Sequence, residues 1–430
     1  MADLSNNINS FDPIHRGWIK RRVAKSKKLR WISGLFIKHW GVVSISKYVK
    51  NVGLLPRVIF EKQPISIGSP LFLGGSFDVD SPNDPDFFPQ VSVVRLKSIL
   101  TTGASVLMGM NNRIILHHDL MSTRFHLTSE ELSGRIFFDA EGLSARWSSW
   151  YWDEHPANLS KAAIFTDAVS VNYAHWLTEV LPRIVSFAQC NEFADVPILM
   201  DAGLHANMYR SLTLALPTAR DLYLLPKDRR VNVDDAYCVS PTGYIPFEPR
   251  GGKVPGHSHG IFSVAAIKLM VDSINRGLSV SPRGKQGGLI YVKRNSNIRL
   301  LRNTSEIEAI LVNAGFDIIE PERMSFDDQV RAFRSADVIV GATGAGMANL
   351  LFANPNCKIY ILMAEHPDMP YYYRQRMADC VDLQISYLLG VQVDDLNRVV
   401  HADFEVPIER VHLMLNEMGL SANKSNETII

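Results

Sequence analysis

Two stretches of this chain hold residues whose types and spacing can do chemistry. In VSVNYAHWLTEVLPRIVSFA, residues 169–188, Asn172, His175, Glu179 and Arg183 recur at intervals of three, four and four. That spacing aligns them on one stripe of a helix. A histidine and a carboxylate one turn apart can hold and orient a proton, as a general base must. Leu177, Val180, Leu181, Ile184 and Phe187 fall largely on the opposite side. The plainer reading of the same stripe is a solvated face with a Glu179–Arg183 pair, worth a few tenths of a kcal/mol. The second stretch is ADVIVGATGAGMANLLF, residues 336–352. Val338, Ile339 and Val340 read as a buried strand, and the glycines at 341, 344 and 346 as a tight turn into an apolar helix. Free N–H groups and the positive end of the helix dipole suit an anion there. Glycine lets the main chain come close to a phosphate. Taken alone, the loop is equally compatible with a turn that only packs.

Each stretch needs a sheet to hold it. From about Ala162 strand and helix patterns alternate: a strand near 163–169, the helix opening at Asn172, a strand at 196–200, a helix over 205–216 and a strand at 222–225. Such alternation implies a parallel sheet. Residues 241–260, PTGYIPFEPRGGKVPGHSHG, are rich in Pro and Gly and read as a linker, with a helix over 260–276 beyond it. The second half repeats the logic. A strand at 289–292 precedes a capping box from Ser305 to Glu308, which opens a helix closed by Gly315. A strand at 316–319, a helix capped by Ser325, the Val338 strand, the glycine loop and a strand at 358–362 follow. Two α/β halves point to two Rossmann-like domains, with ligands outside the carboxyl ends of the strands. Before them, residues 60–155 read as β-rich, with strands at 91–96, 105–108 and 113–116 and turns at Thr102–Gly103 and Asn111–Asn112. The expected divisions are a leader over 1–60, an acceptor-side domain over 61–250, a donor-binding domain over 251–420 and a frayed tail over 421–430.

The bulk composition is that of an ordinary globular protein with length for two domains: 430 residues, 46% hydrophobic and 21% charged. Cys190, Cys238, Cys357 and Cys380 lie far apart, with no CxxC or Cys/His ligand spacing. That argues against a structural zinc and fits buried thiols in a reducing compartment. Asp78 and Asp80 form a D-V-D crowded by Pro82, Pro85 and Pro89, which reads as a solvated loop rather than a metal site. His257 and His259, two apart in the linker, are not sufficient for a metal. The net charge of +1 hides an asymmetry: between Pro13 and Phe60 there are twelve Lys or Arg and no acidic residue. Trp18, Trp31, Phe36 and Trp40 interleave with them. This mixture suits an anionic membrane surface. Covering an acidic face of the same protein is the alternative, and nucleic acid is disfavoured. The polar first 15 residues, with Asp3 and Asp12, read as no secretory signal, and WISGLFI is too short to span a bilayer. The expected location is the cytoplasm, peripheral on the inner face of the plasma membrane.

Taken in order, N-Y-A-H-W-L-T-E-V-L-P-R, R-L-L-R-N and GFDIIEPERMSFDDQVRAFRSADVIVGATGAGMANLLF resemble family 61 glycosyltransferases. They are most similar to bacterial members linked to capsular and other surface polysaccharides, over about residues 95–390. The resemblance implies an α/β fold of the GT-B type, two Rossmann-like domains facing across a cleft with a β-rich N-terminal extension. It implies an inverting, metal-independent transfer from a nucleotide-sugar donor to a glycan or lipid-linked acceptor, with no cofactor. In the family the arginine and asparagine of the R-L-L-R-N element belong to the donor side, matching Arg299 and Asn303. Lys293 and Arg294, with the loop amides of Thr343, Gly344, Ala345 and Gly346, would stabilise the departing diphosphate. Glu179 or His175 would take the acceptor's proton, with Glu179 favoured because the family pattern keeps an acid there. Asn172 as a helix cap, Trp176 as a sugar-stacking or core aromatic, Arg183, His257 and Asn349 are assigned to acceptor binding or support. One departure stands out. Bacterial and plant members often carry G-x-H-G-A-G, and Thr343 here replaces the histidine, keeping a hydrogen-bond donor without a charge. A non-catalytic GT-B assembly protein and a nucleotide-sugar epimerase are the alternative readings. A Rossmann oxidoreductase is disfavoured, because its glycine fingerprint should follow the first strand.

Overall fold

The computed structural model describes residues 8–10, 39–65, 67–75, 77–82, 85–122, 128, 131, 135–147, 156–227, 229–248, 256–257, 259–279, 287–393 and 399–420. The chain is a mixed α/β protein in two compact units. The first comprises Met1–Gln63 and Phe88–Glu248, the second Pro64–Phe87 and Pro249–Ile430. The basic 20–31 run, the WISGLFI segment and the 421–430 tail lie outside the described residues.

In the first unit, Ala157–Ile164 pairs in parallel with Ile198–Asp201 on one side and Arg230–Val239 on the other, and Leu222–Leu225 lies beyond Ile198–Asp201. The chain order across this parallel group is third, second, first, fourth. The winding therefore reverses between Ala157–Ile164 and Arg230–Val239, and ligands bind at the carboxyl side of such a reversal. The strand expected at 163–169 stops at Ile164, which leaves Thr166 and Asp167 in the loop at that position. The β-rich part extends the same sheet. Val91–Thr102 runs antiparallel along Arg230–Val239, followed by Met108–Met110 and Ile114–His117. Asn111 and Asn112 join the last two with left-handed φ of 51° and 52°, a conformation asparagine tolerates. The strand expected at 105–108 forms later, at Met108–Met110, because Ala104 breaks the extended backbone at φ 54°.

The leader is not a separable segment from His39 onward. His39–Ser44 pairs with Ile114–His117 and with Ser144–Trp147, and Trp40 packs edge-on against Trp147 at 5.2 Å. Ser44 then caps the helix Ile45–Val52.

The second unit holds a parallel sheet in the order Asp317–Ile319, Gly288–Val292, Ala336–Ala342, Lys358–Ala364, Ile385–Gln392. This is the second, first, third, fourth, fifth winding, and it reverses between Gly288–Val292 and Ala336–Ala342. Helices cover both faces of such a sheet, which explains the nearly continuous apolar run of Ala336–Ala342. Leu71–Phe72 adds to the far side of Ile385–Gln392, and the Phe72 ring meets Tyr371 at 5.2 Å. That is why Pro64–Phe87 belongs to this unit rather than to the first, where the sequence reading placed it. Ser325 caps Phe326–Ser335 as expected, its side chain accepting the Asp328 N–H. The capping box at Ser305 does not form. The helix starts at Thr304, and Glu308 pairs with Lys293 at 3.0 Å instead. The apolar helix after the glycine loop, Ala345–Phe352, is a 3₁₀ helix. All four cysteines are buried and free.

Candidate active site

In the first unit the helix over 173–188 opens at Asn172, whose Oδ1 accepts the Ala174 N–H at 3.0 Å. The cap is thus Asn172's role here. Pro182 has no N–H to offer the Thr178 carbonyl and would crowd it in an ordinary α turn. The turn before it, Trp176–Val180, is a π turn, closed by the Leu181 N–H on the Trp176 carbonyl. Bulges of this kind concentrate at functional sites.

The polar stripe faces inward: His175, Glu179 and Arg183 are all less than a tenth exposed. Glu179 does not pair with Arg183. One of its oxygens takes a short hydrogen bond from His175 Nδ1, and the other accepts the Ile245 N–H at 3.1 Å. Arg183 approaches Asp167 instead, at 3.9 Å, and its buried Nε has no hydrogen-bond partner. Trp176 is fully buried with its indole N–H on the Ser211 hydroxyl at 2.9 Å. It is a core residue, the second of the two roles its sequence position allowed.

Asp167, Glu179 and Arg183 line one pocket with His118, Tyr244 and Phe247. The pocket sits at the carboxyl ends of Ala157–Ile164 and Arg230–Val239, the winding reversal of this sheet. His175 is not on its wall and holds Glu179 from behind. Asp201, at the end of its strand, braces the loop by accepting the N–H of Ala104 at 2.6 Å and of Asp167 at 2.8 Å. Burial, and then the charge of Glu179, pushes the Asp167 carboxyl up to about 7. Burial pushes Asp201 up to about 6. Burial, followed by His117 and Arg183, lowers the His118 imidazole to about 3.

In the second unit the arginines gather at the equivalent place. Arg294, just past Gly288–Val292, donates to the carbonyl of Thr343 at 2.6 Å and to that of Arg299 at 3.3 Å. Arg374, on the helix Tyr371–Asp379, donates to the carbonyl of Gly344. Burial first, and neighbouring arginines second, lower Arg294 and Arg299 to about 10. No described carboxylate lies within ion-pair distance of the three, and the Nε atoms of Arg299 and Arg374 have no hydrogen-bond partner. A Cβ on Gly344 would meet the Arg294 Cδ at 3.0 Å, and one on Gly341 would meet Met347 Sδ at 2.6 Å. These glycines therefore make room for the protein's own side chains, in addition to any phosphate.

The remaining donor-side residues are committed elsewhere. The Thr343 N–H goes to the Leu362 carbonyl at 2.9 Å. The free amides are those heading the 3₁₀ turn, at Gly344, Ala345 and Gly346, which have no carbonyl ahead of them inside the helix. Lys293 is neutralised by Glu308. The Asn303 amide closes on Val406, donating to its carbonyl at 2.8 Å and accepting its N–H at 3.2 Å. Asn349 is fully buried and donates to Gln329 at 2.7 Å, supporting the loop from below. His259 packs edge-on against Tyr372 at 5.2 Å, and the His257 side chain lies outside the described residues. Asp78 and Asp80 are exposed, and among the described residues no three of His, Cys, Asp or Glu gather as a metal set.

Asp167 and Arg374 escaped the sequence reading, as did His118, Asp201, Tyr244 and Phe247 around the first pocket. Asp167 carried a usable signal, since an acid directly after a parallel strand lies where ligands bind. Arg374 sits in YYYRQRM, whose aromatic packing hides which arginine turns toward the loop.

Residues 173–360 match the family model described as Glycosyltransferase 61. No curated protein matches the chain. The matched span opens on the helix that carries His175, Glu179 and Arg183 and closes in the strand after the glycine loop, so both sites contribute to it, and by that match this protein is a glycosyltransferase.

Proposed function

We propose that the protein is an inverting, metal-independent transferase that moves a sugar from a nucleotide-sugar donor to a glycan or lipid-linked acceptor in bacterial surface polysaccharide synthesis. The GT-B class belongs to the same reading: the second unit holds the donor and the first the acceptor. One observation carries it. Arg294, Arg299 and Arg374 are drawn together against the glycine loop, and no described carboxylate forms an ion pair with them, Glu322 and Asp403 acting on Arg294 only from farther off. Buried guanidinium groups do not shed their protons, so the cluster calls for an anion. A diphosphate fits, because arginine donors and the first amides of a helical turn both suit phosphate oxygens. These cations stabilise the leaving nucleoside diphosphate as its charge develops. The acceptor hydroxyl gives its proton to a carboxylate of the first unit's pocket, which Glu179, steadied by His175, and Asp167 both line.

The leader reading extends to a membrane surface. In its described part, Leu55 is 95% exposed beside Leu54 and Val52, after a helix with exposed Lys47 and Lys50. Apolar side chains flanked by lysines suit the headgroup region of an anionic leaflet. Among the described residues no helix is long and apolar enough to cross a membrane. Leu54→Asp with Leu55→Asp should lower binding to phosphatidylserine vesicles at least tenfold, and unchanged binding would remove this tip from the reading.

The function is tested by a thermal-shift panel of UDP, GDP, CMP and dTDP with UDP-glucose, UDP-N-acetylglucosamine, UDP-xylose, GDP-mannose and CMP-Kdo, with and without Mg²⁺. A ligand at about 100 times its dissociation constant adds about 2.7 kcal/mol to stability. A shift with one nucleotide that Mg²⁺ leaves unaltered is the expected result. No shift with any of them would overturn the donor assignment.

A further inference from the structure

Resting on the transferase reading, we infer that Asp167, rather than the Glu179–His175 pair, is the group that takes the proton from the acceptor hydroxyl. The two carboxylates differ in what each has left to offer. Both oxygens of Glu179 already accept, one from His175 and one from the Ile245 N–H. A carboxylate so held is anchored in the wall by both oxygens. Asp167 has one oxygen on the Val169 N–H at 3.1 Å, while the other faces Arg183 only at 3.9 Å. Its second oxygen is thus the less committed acceptor in the pocket.

Position agrees. Asp167 follows the first parallel strand at the winding reversal, and its backbone is pinned by the Asp201 carboxylate. Arg183 stands beside it on the same wall, buried, with Nε unpartnered. Its guanidinium can hold an acceptor oxygen while Asp167 takes the proton. Tyr244 and Phe247 supply apolar wall, as sugar rings require. In the step, the acceptor O–H proton passes to Asp167 and the oxygen bonds to the anomeric carbon. The bond from that carbon to the phosphate oxygen breaks, and its electron pair leaves with the nucleoside diphosphate.

The charged and titratable groups around Asp167 are Glu179 and Arg183 from the helix, Asp201 from the neighbouring strand and His118 on the pocket wall. Cys238 lies next to Arg183. Glu179 raises the Asp167 carboxyl and Arg183 lowers it. A base held near neutrality suits proton removal at cellular pH.

The test uses the full chain and whichever sugar nucleotide of the panel gives a shift. Nucleotide release is followed from pH 5 to 9, with water and with a mixture of short oligosaccharides as acceptors. Wild type should show a rate that climbs through about pH 7. Asp167→Asn should lose at least 100-fold at pH 8 with unchanged nucleotide affinity. Glu179→Gln should keep measurable release, with the acid limb moved to lower pH, because the charge that raises Asp167 is gone. The reverse pattern, a limb erased in Glu179→Gln and kept in Asp167→Asn, overturns the inference and makes Glu179 the base. If Asp167→Asn does not fold, Asp167→Glu keeps a carboxylate at the position, and an unmoved limb there overturns it too. A wild type that binds no nucleotide and releases none overturns the transferase reading itself, a failure visible before any variant is made.

Discussion

The first unit gathers carboxylates where its parallel winding reverses, and the second gathers arginines at the same place in its own sheet. The architecture is shared, so the difference lies in which residues follow the strands. A buried carboxylate can bind a proton to escape its charge, and Asp167 and Asp201 are shifted in that direction. A buried arginine has no such escape and needs electron-rich partners. Here the carbonyls of Thr343, Gly344 and Arg299 supply part of them. On the proposed reading one site exchanges protons and the other holds an anion.

Four measurements sharpen or break that contrast. The largest effect should come from Glu179→Ala, which leaves His175 and the Ile245 N–H facing a void. Breaking a buried pair costs about 3–5 kcal/mol. Urea unfolding should show the loss without weakening nucleotide binding, and a loss below about 1 kcal/mol would mean that the His175–Glu179 bond holds little.

Next comes pH. The folded-state pKa of Asp167 is raised, so its favourable contribution is fully present below about pH 4 and is lost as pH rises through about 7. The size is on the order of 4 kcal/mol. His118, lowered to about 3, works in the opposite sense, its contribution being lost as pH falls. Melting curves of wild type and Asp167→Asn from pH 4.5 to 8 separate the two. The variant should gain on wild type as pH rises, and parallel curves would contradict the shift.

Arg374→Ala should weaken nucleotide binding by about 10–100-fold, in line with about 1.5–3 kcal/mol for hydrogen bonds to charged groups. Calorimetric titration reads it, and the acid limb of the rate profile should stay in place. An affinity equal to wild type would detach the cluster from the donor. The smallest effect is a control: Ser325→Ala removes a helix cap from the second unit and should cost about 1 kcal/mol in stability. Neither the pH profile nor nucleotide affinity should move.

Much of this was legible in the sequence. The strands read at 196–200, 222–225, 289–292, 316–319 and 358–362 form within about two residues of those bounds, whereas Arg230–Val239 and Ile385–Gln392 were not read and the first strand lies earlier, at Ala157–Ile164. Asn172 and Ser325 cap the helices that their positions announce. Local chemistry governs caps and turns, so they can be read locally. The capping box at Ser305 misled because Lys293, fifteen residues earlier, takes Glu308. The inward orientation of the His175 stripe was missed for a similar reason. Its face is set by Ile245 and Asp167, which arrive from other elements, and by the π turn that Pro182 imposes.

By itself the sequence determined the two α/β halves, the glycine loop between strand and helix, and the one-turn spacing of His175 and Glu179. Periodicity, turn chemistry and helix spacing are properties of neighbours in the chain. Only the tertiary structure decided that Asp167 shares a pocket with Glu179 and that Arg374 closes on Gly344. It also decided that Asn303 and Lys293 are tied up by Val406 and Glu308. Each of those outcomes depends on which groups are buried together, and burial sets both the pKa of a carboxylate and the need of an arginine for a partner.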